Sequence, residues 1–139
     1  MNPSRPRTRP IAAVVGAVVG AVALVLSVSA CGRLTAASIQ VGKSLNSDKS
    51  VSSHTTSFKP EDTIYAALLT DGIGSATISA RWSYAGRVVS EPQRRVRYTG
   101  RAATEFHMQN SGGFPPGEYE VELFIDGTSA GSRRFRVAR

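Results

Sequence analysis

One cysteine, two histidines and one tryptophan in 139 residues leave this chain poor in the side chains on which most site chemistry is built. Cys31 has no second cysteine to pair with, so no disulfide can close within the chain and the fold must stand on its core. His54 and His107 fall on separate segments, and neither is flanked by Cys, His or carboxylate at metal-ligand spacing. No metal and no other cofactor is therefore expected. Glu105 and His107 stand two apart on one strand face, an arrangement read as a solvated pair. Serines are plentiful, yet none sits in a Gly-x-Ser-x-Gly turn. Asp71-Gly72-Ile73-Gly74 is followed by no helix whose N-terminus would complete a phosphate loop, so it reads as a turn. These absences argue against an enzyme, and they identify no small-molecule substrate. No repeat or coiled-coil heptad occurs, and beyond the first 30 residues there is no amphipathic helix.

The N-terminus carries a pattern of its own. Arg5, Arg7 and Arg9 stand among prolines without an acid, an apolar run of 16 residues follows from Ile11 to Leu26, and small residues lead into Cys31. This is the layout of a cleavable signal peptide. A permanent spanning helix needs about 20 apolar residues, more than this run supplies. The segment Val28-Ser29-Ala30-Cys31 resembles the lipobox of bacterial lipoproteins, with Val28 in place of the commoner leucine. The resemblance implies a diacylglycerol thioether on Cys31, cleavage before it and acylation, palmitate included, of the new terminus. It also implies a membrane partner through that lipid. The expected location is extracytoplasmic, in the cell envelope, either on the periplasmic side of an outer membrane or on the outer face of the cytoplasmic membrane. No nucleic acid is expected there.

The expected organisation is a signal peptide over 1–30, a lipidated cysteine with a short tether over 31–37, and one domain over 38–139. Cleavage would remove three of the 17 basic residues, leaving 14 against 10 acids, so the balance would fall from +7 to +4. Much of the basic character belongs to the leader. The polar stretch from Ser44 to Lys59 is expected to connect a first strand, near Ile39 to Leu45, to the body of the domain.

After Phe58 the apolar residues recur with period two between closely spaced turns, which predicts an antiparallel all-β domain. Ile78, Ala80, Trp82 and Tyr84 form one inward row, Tyr119, Val121, Leu123 and Ile125 another, and Phe135 with Val137 a third. Asp126-Gly127 marks a tight hairpin. Pro115 and Pro116 exclude their loop from a central strand. Seven to nine short strands in roughly 100 residues imply a single antiparallel β-sandwich. Trp82 in a central strand and Gly117-Glu118-Tyr119-Glu120-Val121, which resembles a tyrosine corner, make it similar to immunoglobulin-like and fibronectin type III-like domains. Val121 stands where antibody-type domains have cysteine, which implies a disulfide-free variant. The span from Phe58-Lys59-Pro60-Glu61-Asp62-Thr63-Ile64-Tyr65 to Phe135-Arg136-Val137 also resembles uncharacterised bacterial envelope lipoproteins with an Ig-like fold.

Two groups of arginines, Arg94, Arg95 and Arg97, then Arg133, Arg134 and Arg136, are candidates for contact with an anionic surface. Charged strand margins also deter edge-to-edge aggregation, which is the competing explanation. Glu118, Glu120 and Glu122 are expected to neutralise arginines on a neighbouring strand. Phe114, beside two prolines, is the one candidate for an exposed aromatic platform. The expected role is protein interaction or envelope structure with an envelope protein as partner. The alternative is a ligand-binding module for glycans or anionic envelope polymers.

Overall fold

The computed structural model describes residues 32–139; the leader and Cys31, with the processing and lipidation expected there, lie outside the described residues. Nine strands follow in order, β1 (Thr35–Gly42), β2 (Ser57–Phe58), β3 (Ile64–Asp71), β4 (Ile73–Tyr84), β5 (Arg87–Ser90), β6 (Gln93–Thr99), β7 (Ala102–Met108), β8 (Gly117–Ile125) and β9 (Thr128–Val137). Among the described residues there is no helix. The expected all-β, Ig-like sandwich is what the chain forms. A smaller sheet has the order β1-β3-β7, and a larger one runs β2-β9-β8-β4-β5 with β6 beside β4. Apart from the short parallel β2–β9 pair, every pairing is antiparallel.

The period-two rows explain the packing, because alternate side chains of a strand point to one face. Ala80, Trp82 and Tyr84 of β4 stand opposite Leu123, Val121 and Tyr119 of β8, and Tyr119 stands opposite Phe135 of β9. Ile64, Ala66 and Leu68 of β3 supply the facing layer, with Phe106 of β7 opposite Ala66. Trp82 is fully buried and meets Phe135 edge-on at 6.0 Å, while Phe135 stacks on Tyr119 at 5.4 Å. Such ring pairs contribute about 0.5–1.5 kcal/mol each beyond their burial. The tyrosine corner is present: the Tyr119 hydroxyl donates to the Pro115 carbonyl at 2.7 Å. Val121 is fully buried opposite Trp82 and packs there as an aliphatic core residue. At the β8–β9 turn Asp126 and Gly127 take φ of 49° and 80°, as a type I′ hairpin requires.

Three expectations need correction. The tether was expected to reach Ala37, yet β1 opens at Thr35 and Leu34 is buried, so strand pairing with β3 already claims these residues. Arg33 and Leu34 are drawn in because Gly72 and Gly74 lack side chains. A Cβ at Gly72 would strike the Arg33 carbonyl, one at Gly74 the Gly32 carbonyl, and one at Gly32 the Ile73 carbonyl. Second, the polar stretch after β1 is no plain connector. It returns along β1 through the bridges Gly42–His54 and Leu45–Val51, and Val51 is buried with its amide donating to the Gln40 side chain at 2.9 Å. Gln40 stands opposite Ala67, which is fully buried, whereas Tyr65 and Leu69 on the same face of β3 are half-buried. Third, Phe114 is no exposed platform. It is buried edge-on against Tyr119, and its amide donates to the Pro60 carbonyl at 2.8 Å.

Candidate interaction surfaces

The six candidate arginines do not form one surface. Arg95 and Arg97 of β6 stand opposite Thr77 and Ser75 of β4 and share the outer face of the larger sheet with them. Arg94 has the opposite parity; it lies over the Phe106 ring at 5.3 Å, donates to the Glu105 carbonyl at 2.9 Å and closes the gap between the two sheets. On β9, Arg134 and Arg136 return to the outer face and pair with Glu120 at 3.2 Å and Glu118 at 3.1 Å. Glu122 pairs with Arg81 at 3.7 Å, so the expected neutralising row of acids is in place. Arg133 stands opposite Val121 rather than among these pairs. Among the described residues Arg95, Arg97 and Arg133 have no carboxylate partner. Exposed pairs of this kind contribute about 0–1 kcal/mol each, so their main effect is to cancel charge on the sheet face.

His54 is exposed in the returning loop, and His107 Nδ1 lies 3.1 Å from a Glu105 side chain that is only 13% exposed, so the pair is partly buried where a solvated one was expected. Among the described residues no group of three His, Cys, Asp or Glu side chains is placed to hold a metal ion.

What period-two reading missed is the edge of the larger sheet. Strand β5 pairs with β4 on one side, and no described strand pairs with the other. It carries Val88 and Val89, 52% and 54% exposed. A bulge in the register between Trp82 and Ser83 puts Val88 opposite Ser83, while Val89 lines a cleft of about 430 Å³ with Tyr84, Met108, Phe114 and Tyr119. Pro92, just after β5, lacks a donor and so belongs at an edge. Two adjacent valines beside such a proline were the available sequence signal. This cleft lies at the end of the sandwich opposite Gly32, because it gathers the close of β4 and β7 and the start of β8.

No protein-family model matches the chain, and no curated protein matches it in sequence. Solved structures do match in fold. An immunoglobulin-like protein from Pseudomonas aeruginosa aligns with a TM-score of 0.53 at 12% identity, over 76% of this chain and 97% of that one. A β-glucosidase from Erythrobacter marinus aligns with a TM-score of 0.52 at 10% identity, over 77% of this chain. A β-glucosidase from Listeria innocua, in complex with glucose, aligns with a TM-score of 0.47 at 8% identity, over 78% of this chain. The chain spans only 16% of the length of each glucosidase. At this identity the likeness to the Pseudomonas aeruginosa protein supports the immunoglobulin-like fold and says nothing about activity.

Proposed function

We propose that this chain is a lipid-anchored, extracytoplasmic Ig-like domain of the cell envelope that acts without catalysis by binding an envelope protein along β5. The unpaired edge bearing Val88 and Val89 is the observation that carries the reading. An open edge offers its free N–H and C=O groups to an added strand, and exposed valines supply apolar contact to the same partner. The lipobox-like Val28-Ser29-Ala30-Cys31 supports the anchor, and Cys31 is the residue that would carry it. Burial of Phe114 removes the aromatic platform on which glycan binding would have relied. Photocrosslinking from position 88 in intact cells tests the interaction: a discrete protein adduct is expected, and it should vanish with Val89→Lys. Retention on glycan or lipopolysaccharide matrices without any protein adduct would overturn it. For the anchor, Cys31→Ser should abolish processing and the added lipid mass; unchanged processing, size and membrane partition would refute it.

A further inference from the structure

We propose that the end of the sandwich from which residue 32 emerges is a membrane-docking tip, where Ile73 enters the interface of an anionic phospholipid bilayer and Arg33, Arg97 and Arg101 engage its headgroups. The proposal rests on the reading of Cys31 as the lipidated residue.

Ile73 is 62% exposed at the β3–β4 turn. A single exposed aliphatic is unremarkable on a soluble surface. Its position is what matters, since the backbone of Gly32 runs directly against that of Ile73, so closely that neither Gly32 nor Gly74 has room for a Cβ. Consecutive Cα atoms lie only about 3.8 Å apart. Acyl chains on Cys31 would therefore leave the protein beside Ile73, with no flexible tether between lipid and domain. Anchoring would then hold the turn at the bilayer surface and restrict how the sandwich can tilt.

The charges at this end favour an anionic partner. Arg33 flanks Gly32 and is exposed. Arg97 stands opposite Ser75, two residues from Ile73, and Arg101, whose side chain is 77% exposed, donates to Asp71 at 2.9 Å. Arg95, opposite Thr77, lies one step farther from the tip. The acids facing the same end are Asp71 and Asp126, the latter held by the Thr77 amide at 2.8 Å and lining a recess with Gly32 and Arg33. Four cations against two carboxylates leave a net positive tip. Val88 and Val89, the other large apolar residues exposed among those described, lie on β5 near the opposite end, so docking would leave that edge pointing away from the bilayer.

The test uses the mature lipidated protein in vesicles of equal parts phosphatidylglycerol and phosphatidylcholine. With lipid on Cys31, an Ile73→Cys substitution supplies the only free thiol for an environment-sensitive fluorophore, and Val89→Cys serves as the distal control. Expected are a blue shift and protection from an aqueous quencher at position 73, with neither at 89. Replacing Arg33, Arg97 and Arg101 by glutamine should lower the docked-to-undocked ratio by roughly fivefold per arginine. Equal quenching at 73 and 89, on protein that floats with the vesicles and carries the lipid mass, would overturn the docking tip alone. Absence of lipid on Cys31 by mass spectrometry would overturn the anchor and the docking tip with it.

Discussion

Replacing Tyr119 by phenylalanine removes one oxygen from the aromatic cluster and leaves its rings in place. The ring would keep its stack on Phe135 at 5.4 Å, its edge contact with Phe114 at 6.2 Å and its contact with Tyr84 at 4.6 Å. Lost is the 2.7 Å hydrogen bond to the Pro115 carbonyl, which ties the loop before β8 onto its own strand. A net hydrogen bond contributes about 0.5–1.5 kcal/mol, and a partner left unsatisfied adds to the cost, so Tyr119→Phe should destabilise by about 1–2 kcal/mol. For a domain of this size, with about 2.1 cal/mol/K of unfolding entropy per residue, that is a fall in Tm of about 4–9 °C. Urea unfolding followed through Trp82, the sole tryptophan and fully buried, measures it directly. Tyr84→Phe is the control, because its 3.0 Å bond to Pro116 is exposed, and it should cost less than about 0.5 kcal/mol. The effect also has a pH signature. Burial, and then the neighbouring Tyr84, raises the Tyr119 phenol above its ordinary value of 10.0. Its contribution is therefore complete below that ordinary value and is lost as pH rises through the raised one, so the gap between wild type and Tyr119→Phe should narrow in strong alkali. A cost no larger than that of Tyr84→Phe, or a gap that widens in alkali, would refute the reasoning.

Thr70 is fully buried and its hydroxyl has no hydrogen-bond partner among the described residues, so Thr70→Val should stabilise by about 1 kcal/mol in the same unfolding measurement; a loss of stability would show that the hydroxyl is satisfied in solution. The Asp62 carboxylate accepts the Lys59 amide at 2.7 Å and pairs with Lys43 at 2.9 Å, and these contacts, the amide first, hold it below its ordinary 3.8. Its contribution is present above that value and lost as pH falls through the lowered one, so Asp62→Asn should flatten the acid limb of a stability-against-pH curve, and an unchanged limb would dismiss it.

The regions legible from sequence are those where alternation meets a single buried face. Trp82, Val121 and Leu123 were placed inward by parity alone, and the structure buries each fully. Tyr119 was legible because its corner is local, four residues from the carbonyl it binds. Phe114 was misplaced because flanking prolines mark a loop without saying what folds over it, and Pro60, far away in sequence, does so here. Val51 was hidden for the same reason, since its burial depends on a loop returning over Gln40. The arginine groups failed as a single surface because parity along each strand was readable while the identity of the neighbouring strand was not. Arg134 faces Glu120 only once β9 is set beside β8.

By itself the sequence determined an all-β domain and its inward rows, and it carried the expectation of a leader before Cys31. These properties are local, and period-two alternation or a contiguous motif carries each of them. Tertiary structure decided which strand became an unpaired edge, and so exposed Val88 and Val89 rather than any other apolar pair. It also decided that residues 32–34 lie on the Gly72–Gly74 turn, which sets Ile73 beside the point where a lipid on Cys31 would emerge. Both depend on backbone approaches between segments far apart in the chain, and no periodicity along a single strand encodes them.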